Sequence, residues 1–405
     1  MKHIITVMSL CMALAAAASP VRQRLHDDWQ FRQARLNNWY PATVPGTVHT
    51  DLMANRIIED PYFRLNERGV QWIDKEDWIY ETHFEADAGL LAREQIELVF
   101  EGLDTYADVY LNDEKVLAAD NMFRRWRTEV KRLLRPGENV LKVYFHSPIK
   151  VDLPKYDSLP YRYEAVNDQS ANGGLFDKRV SVFARKAGYH YGWDWGPRLV
   201  TSGIWRPVYL EGWNGIRISD VFYRQEEVTA ERAAVEVRTL VANSGTEPVR
   251  VRIEHRIVWP DGREAARAED MAEIAAGSVA EQLRRGITIA SPRLWDIDEP
   301  NLYRVLTRIV AEDGRVLDEV SNPLGLRWFS FDPDKGFSLN GRPRKLVGTC
   351  RHQDYLGRGW ALPDEMHERD VRLIKEMGGN FLRVSHYPQD PVVMEMCDRL
   401  GIVAS

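Results

Sequence analysis

The sequence contains few cysteines, three in a chain of 405 residues. Cys11 lies in an apolar N-terminal run, which leaves Cys350 and Cys397. Two cysteines in a chain of this size exclude a disulfide framework. Both lie in segments that we predict to form the core of βα units, so we expect them to be buried thiols.

The chain also lacks an excess of positive charge and any second long apolar run. Its net charge is −6, so no basic face for nucleic acid is predicted. Lys2 and His3 precede an apolar run from Ile4 to Ala18 that ends in small residues, which predicts an export signal over residues 1–18 and a periplasmic or secreted protein. The run is too short to predict a membrane span. No Cys/His cluster has zinc-site spacing, so we predict neither a metal nor a cofactor.

Tryptophan is abundant, with 13 residues. Its side chain combines an apolar face with an N–H donor, as sugar-binding sites require, but large β-sandwich cores also use it. We expect most of the tryptophans to lie in such cores.

Two successive regions have β patterns. Between residues 19 and 213, short strands such as Gln95–Phe100 and Ala107–Leu111 alternate with turn residues, which predicts a β-sandwich. Residues 147–188 lose this periodicity, and we predict a long irregular segment with a function, since it leads into an aromatic stretch. From 214 to 326, alternating strands and two Asp-Gly turns predict an immunoglobulin-like sandwich.

The pattern changes after residue 327. We predict a short strand over Lys345–Gly348 and a helix between Pro363 and Gly378. A second strand, an amphipathic helix from Val392 to Leu400 and the start of a third strand follow. Strands that alternate with helices indicate parallel βα units. The predicted fold class is therefore multidomain and mainly β, with βα units at the end.

Polar residues that could take part in catalysis or substrate binding follow two of these strands. His352 follows the first strand, and Arg383 and His386 end the second. In parallel βα barrels the loops at that edge converge on the active site. Arg383 could keep a catalytic carboxylate deprotonated, and His386 could hydrogen-bond a sugar hydroxyl. The alternatives are a structural ion pair, a satisfied histidine and two unrelated polar loops.

Asp194 lies between Trp193 and Trp195. A carboxylate between indoles can accept hydrogen bonds from vicinal hydroxyls while a ring packs on a sugar face. An aspartate that caps a turn at a sandwich corner is the alternative. The aromatic density and the long preceding segment favour a functional role.

At these residues the chain resembles glycoside hydrolase family 2, which contains β-galactosidases, β-glucuronidases and β-mannosidases. The segment 380–401 is similar to the family's first signature, from which Val384 departs, and it retains Arg383, Ser385, His386, Tyr387, Pro388, Asp398 and Gly401. The N-terminal half is closer to β-mannosidases, in segments 44–52, 102–105, 121–123, 192–197 and 203–205. The barrel entry, residues 336–341 and 351–354, is more similar to the galactosidase branch.

The resemblance implies a jelly-roll sandwich over 19–213, an immunoglobulin-like sandwich over 214–326, and the N-terminal part of an incomplete (β/α)₈ barrel over 327–405. It also implies a β-linked oligosaccharide or glycoside as partner, bound by Trp193, Asp194, His352, Arg383 and His386. The oligomeric state stays open.

The implied reaction is retaining exo-hydrolysis of terminal β-mannosides by two glutamates. We assign no catalytic residue, because the barrel part has no Asn-Glu pair and its glutamates fall in predicted helices, namely Glu365, Glu368, Glu376 and Glu395. We therefore expect no turnover by this chain alone. The alternatives are a β-galactosidase or β-glucuronidase of the same family, a non-catalytic carbohydrate-binding protein, and a structural adhesion-type protein, which would not need the βα units.

Overall fold

Three structural units follow one another in the computed structural model, which describes residues 20–194 and 196–405. The predicted export signal over residues 1–18 and Trp195 lie outside the described residues. Within the described ranges, no helix is long and apolar enough to cross a membrane.

The first unit is a sandwich of two antiparallel sheets. Its sheets have the strand orders β1-β10-β5-β8 and β3-β2-β4-β9-β6-β7. The strands are β1 (Val21–Arg24), β2 (Gln30–Gln33), β3 (Tyr40–Pro41), β4 (Trp78–Glu85), β5 (Gln95–Phe100), β6 (Ala107–Leu111), β7 (Glu114–Ala119), β8 (Trp126–Glu129), β9 (Glu138–Phe145) and β10 (Val208–Trp213). In β9 every second side chain is buried, because successive side chains point to opposite faces of a strand.

Helices connect or flank these strands. They are α1 (Val48–Ala54), α2 (Ala88–Leu91) and α3 (Pro148–Ser158), with short 3₁₀ turns at Asn66–Val70, Ile73–Lys75 and Gly188–Tyr191.

The prediction of an irregular segment over 147–188 is wrong for its first part, which forms α3. Ser147 caps this helix by accepting a hydrogen bond from Lys150 N at 3.0 Å, and Pro148 occupies the first turn, where its missing N–H costs nothing. Pro154 inside the helix obscured the helical pattern. The remainder, up to residue 187, consists of turns with one isolated β-bridge. It is nevertheless packed, since Leu175 and Val180 are buried with α3.

The second unit is a sandwich whose sheets have the orders β11-β12-β15 and β14-β13-β16-β17. Its strands are β11 (Ile216–Val228), β12 (Arg232–Asn243), β13 (Val249–Val258), β14 (Glu264–Ile274), β15 (Ser278–Ala290), β16 (Tyr303–Ala311) and β17 (Val316–Leu324). The two predicted Asp-Gly hairpin turns are confirmed: Gly262 and Gly314 have φ of +91° and +84°, a conformation that glycine adopts readily.

The third unit begins with a small antiparallel sheet and continues with parallel strands. The antiparallel strands are β18 (Phe329–Asp332), β19 (Gly336–Leu339) and β20 (Arg342–Pro343). The parallel sheet β21-β22-β23 and its helices comprise β21 (Gly348–Arg351), α4 (Asp364–Glu376), β22 (Phe381–Val384), α5 (Pro391–Leu400) and β23 (Val403–Ala404). The predicted parallel βα units are confirmed, and with them the multidomain, mainly β fold class.

The predicted strand over Lys345–Gly348 is misplaced, because β21 starts only at Gly348. Parallel pairing begins where Gly348 meets Phe381, and a Cβ at Gly348 would lie 1.7 Å from the Phe381 carbonyl oxygen. Only glycine therefore permits the close approach at which pairing starts. Residues 345–347 precede the strand and have exposed or half-buried side chains, and Val347 O accepts from Phe381 N at 3.2 Å where the pairing starts.

The expectation that both thiols are buried holds for Cys397 and is wrong for Cys350, which is exposed. Leu382 packs with α4 and α5 on one face of the parallel sheet. Cys350 lies beside Arg383, whose side chain points to the opposite face. The helices therefore leave Cys350 uncovered.

Candidate functional site

The carboxyl ends of β21 and β22 bring two histidines together. The strands pair in parallel with Cys350 opposite Arg383, so the residues that follow each strand emerge at the same edge. The rings of His352 and His386 lie with their centroids 6.0 Å apart, nearly perpendicular. The sequence prediction that these loops share one edge of the sheet therefore agrees with the geometry.

The first sandwich adds an indole to this pair. The Trp193 ring centroid lies 5.7 Å from that of His352 and 5.7 Å from that of His386. Trp193 follows the 3₁₀ turn Gly188–Tyr191 and is half-buried. Three of the five predicted site residues thus converge across the boundary between the first and third units.

Asp194 lies beside this group and is exposed. Its negative charge acts on His352 and partly opposes the lowering of that histidine's pKa. Because the carboxylate faces solvent, it can accept hydrogen bonds from an incoming hydroxyl group.

Arg383 is exposed at the same edge, and its Nη1 lies 3.6 Å from Cys350 Sγ. Ser385 and Arg383 both stabilise the thiolate and lower the pKa of Cys350. Among the described residues Arg383 forms no ion pair with a carboxylate. A guanidinium has five N–H donors, so the contact with one sulfur leaves most of them available.

His352 is held as a neutral imidazole. Burial lowers its pKa, and the neighbouring His386 and Arg383 lower it further. The Tyr387 hydroxyl lies 3.2 Å from His352 Nδ1. A neutral imidazole has one donor and one acceptor nitrogen, which suits a hydroxyl-bearing ligand.

A buried aromatic cluster supports the site from behind, and the sequence reasoning did not identify its members as site residues. Trp360 is 1% exposed, and its ring centroid lies 4.9 Å from Trp205, 5.5 Å from Tyr189 and 5.2 Å from Tyr387. Tyr387 in turn donates to or accepts from His352. The only sequence signal for Trp360 was its place in the loop after the first barrel strand, and its partners come from distant segments.

A separate small pocket adjoins this cluster, since Tyr189 and Trp360 are among its lining residues. It is lined by Thr47, His49, Tyr189, His190, Asp354, Trp360 and nine further residues, and by none of the five predicted site residues. Burial raises the pKa of Asp354 to about 6 and lowers that of His49 to about 3. Tyr189 lines this pocket, and its ring centroid also lies 6.0 Å from that of His352, so the pocket and the predicted site share a neighbouring side chain.

Within the part of the chain that the structure describes, no group of three His, Cys, Asp or Glu side chains is arranged to hold a metal ion.

Family profiles match three successive segments of the chain. Residues 29–206 match the glycosyl hydrolase 2 galactose-binding domain-like profile, residues 216–327 match glycosyl hydrolases family 2, and residues 333–404 match the family 2 TIM barrel domain. The profiles follow the order of the three structural units.

Curated relatives include a Beta-mannosidase B of Thermothelomyces thermophilus, 32% identical over 399 residues, covering 94% of this chain and 44% of the relative. A Beta-mannosidase B of Aspergillus terreus is 29% identical over 407 residues, covering 95% and 45%. The chain thus spans about half the length of these curated relatives.

Solved structures show the same arrangement. The β-D-mannosidase of Dictyoglomus thermophilum superposes with a TM-score of 0.83 at 33% identity, covering 95% of this chain and 47% of that one. A β-glucuronidase of Bacteroides uniformis superposes with a TM-score of 0.73 at 25% identity, covering 95% and 42%.

Proposed function

The chain belongs to glycoside hydrolase family 2, and from that premise we propose that it forms the substrate-binding wall of a retaining exo-glycosidase acting on terminal β-mannosides. The observation that carries the proposal is the Trp193 indole of the first sandwich, 5.7 Å from both His352 and His386 at the barrel edge. Relatives named as β-mannosidases support the choice of sugar.

In this proposal each side chain has a distinct task. Trp193 offers its face to the apolar face of the sugar ring. Asp194 accepts hydrogen bonds from vicinal hydroxyls, and the rings of His352 and His386 exchange hydrogen bonds with others. Arg383 would keep a nucleophilic carboxylate ionised once one is brought to this edge, as a retaining glycosidase requires.

The chemistry itself needs two carboxyl groups about 5–5.5 Å apart, one as acid/base and one as nucleophile. The glutamates of residues 333–404 do not meet this need. Glu365, Glu368 and Glu376 lie on α4 and Glu395 lies on α5, so none is at the carboxyl end of a strand. We propose that this chain binds the glycoside and does not turn it over by itself.

Calorimetric titration of the chain with methyl β-mannoside tests the binding proposal. We expect saturable binding that Trp193→Ala weakens about two- to tenfold, because an aromatic contact contributes roughly 0.5–1.5 kcal/mol beyond its buried area. Trp259→Ala, which removes an indole from the second sandwich, is the matched control and should bind like the wild type. Absence of binding by the wild-type chain would refute the proposal, and nitrophenol release from nitrophenyl β-mannoside would refute the absence of turnover.

Two alternatives give different results in the same assay. Tighter binding of a β-galactoside or a β-glucuronide would favour another branch of the family, as the barrel-entry residues and the glucuronidase structures allow. If His386→Ala and Arg383→Ala bind like the wild type while Trp193→Ala does not, the first sandwich alone carries the sugar. That outcome would favour a non-catalytic carbohydrate-binding protein.

We also propose that the protein is exported. The support is the basic start and the apolar run that ends at Ala16–Ala18. Mass spectrometry of the protein recovered from the cell envelope or the medium should find an N-terminus near residue 19. Recovery of an intact residue 1 from the cytoplasm would contradict export.

A further inference from the structure

The turn-rich segment between α3 and Gly188 contains a glutamine that reaches the turn before Trp193. The backbone N–H of Gln169 donates to Tyr191 O at 2.8 Å. Its side-chain Nε2 donates to Trp193 O at 2.9 Å. One residue therefore holds the chain on both sides of Gly192.

The glycine between these two hydrogen bonds leaves room for the glutamine. Gly192 has a φ of +106°, which side-chain-bearing residues rarely adopt. A Cβ at Gly192 would lie 2.5 Å from both Cγ and Cδ of Gln169. The Gln169 side chain thus occupies the space that any larger residue at position 192 would need.

The glutamine is itself held in place. Its Oε1 accepts a hydrogen bond from Asn172 Nδ2 at 2.9 Å, so both ends of the carboxamide are engaged. The neighbouring Asp168 is buried and accepts from Ser181 N at 2.9 Å. Leu175 and Val180 pack against α3, so the segment that carries Gln169 is anchored to the first sandwich.

Trp193 has little other backbone support from the described residues. Its own N–H donates to Gly196 O at 3.4 Å, a long contact within the same loop. The bond from Gln169 is shorter and connects the loop to a separate, packed segment. Gly192 N also donates to Tyr189 O at 2.9 Å and holds the turn from within, whereas the bond from Gln169 ties Trp193 to a separate segment and so bears on the position of the indole.

We propose that Gln169 is a positioning residue for Trp193: its carboxamide fixes the Gly192–Trp193 turn and so sets the indole at the distance at which it can face a sugar. The part of this inference that concerns sugar binding rests on the proposed function. The part that concerns the position of the indole does not, and the experiment separates the two.

The experiment uses the whole chain labelled with 5-fluorotryptophan and observed by fluorine NMR. Trp193→Phe assigns the Trp193 resonance by its loss. Gln169→Met keeps the length of the side chain and removes the donor, and we expect it to shift or broaden the Trp193 resonance while the others stay in place. Gln225→Met is the matched control, since Gln225 Nε2 donates to Gly325 O at 3.2 Å in the second sandwich. It should leave the Trp193 resonance unchanged.

Asn172→Ala gives a second, milder test at an exposed position. It frees the Gln169 oxygen without touching the donor, so we expect a smaller shift of the same resonance. An unchanged Trp193 signal in both Gln169→Met and Asn172→Ala would overturn the proposal, as would an equal change in Gln225→Met.

Titration with methyl β-mannoside completes the test. Loss of one hydrogen bond predicts about fivefold weaker binding by Gln169→Met and no change by Gln225→Met. If the wild-type chain binds no sugar while the fluorine shift is seen, the proposed function fails and the positioning role stands. If the wild type binds and Gln169→Met binds equally well with an unshifted Trp193 signal, the positioning role fails alone.

Discussion

At the scale of single residues, burial decides which histidines carry a proton. Burial lowers the pKa of His352, and the neighbouring His386 and Arg383 lower it further, which favours the neutral ring that suits a site for hydroxyl groups. The same physics acts away from the site. His255 is buried in the second sandwich with Nδ1 3.1 Å from Thr307 Oγ1, and burial lowers its pKa to about 4.

This shift predicts a loss of stability in mild acid. The unfolded chain binds the proton near pH 6.5, so the contribution of His255 is complete above that pH and is lost as the pH falls toward 4. We expect the second sandwich to lose roughly 2 kcal/mol from this residue between pH 7 and pH 5, measured by urea unfolding at both values.

His255→Gln, which cannot titrate, should show a correspondingly smaller difference between the two pH values. His83→Gln, at an exposed position in the first sandwich, leaves His255 in place, and the second sandwich should keep the wild-type difference. Equal differences in wild type and His255→Gln would contradict the assignment.

At the scale of elements, both helices of the third unit end at a glycine with positive φ, but the two glycines differ in surroundings. Gly378 follows α4 with a φ of +91°, and nothing lies within 4 Å of a Cβ built on it. Gly401 follows α5 with a φ of +68°, and its Cβ would lie 2.3 Å from the Ile297 carbonyl oxygen. Gly401 therefore ends α5 and also allows the backbone of the second sandwich to approach the helix closely.

Replacing each of these two glycines with alanine should lower the free energy of unfolding by different amounts. Gly378→Ala should cost about 1 kcal/mol, the strain of a left-handed alanine. Gly401→Ala adds a clash with a backbone that cannot move aside freely, and we expect at least about 3 kcal/mol in total. Urea unfolding of both variants gives the comparison. Equal losses would show that α5 does not rest against Ile297.

At the scale of the whole molecule, the third unit is docked against both sandwiches. Arg206 Nε of the first lies 3.1 Å from Asp390 Oδ2, at the start of α5. Trp295 Nε1 of the second donates to Asp398 O at 2.7 Å, and Lys375 Nζ on α4 donates to Ile297 O at 2.9 Å. These contacts place the barrel edge opposite Trp193.

The contacts made by Arg206 and Lys375 are independent, so removing both should increase the local opening of α5 by the sum of their separate free-energy effects. Arg206→Met and Lys375→Met each keep an apolar stem and lose about 1 kcal/mol of interaction. We expect amide hydrogen exchange in α5 to accelerate about fivefold in each variant and about 25-fold in the double variant. Lys345→Met, at an exposed position, should exchange like the wild type. Acceleration confined to one variant would show that one of the two contacts is absent in solution.

Local patterns allowed much of this architecture to be predicted. Residues 95–100 and 107–111 form strands with the predicted bounds, and both Asp-Gly turns form hairpins. Two predictions failed because a long-range contact outweighs the local pattern. The start of β21 depends on how closely Gly348 approaches Phe381, and the exposure of Cys350 depends on which face of the sheet the helices cover.

The candidate site also combines features that local patterns predict with features that depend on long-range contacts. The sequence by itself determined the residue types at the strand ends and the indole-flanked carboxylate, because these lie in short, contiguous motifs. Only the tertiary structure decided that Trp193 meets His352 and His386, that Trp360 supports them, and that Gln169 holds the turn. These partners lie far apart along the chain, and no local pattern encodes the packing that brings them within contact distance.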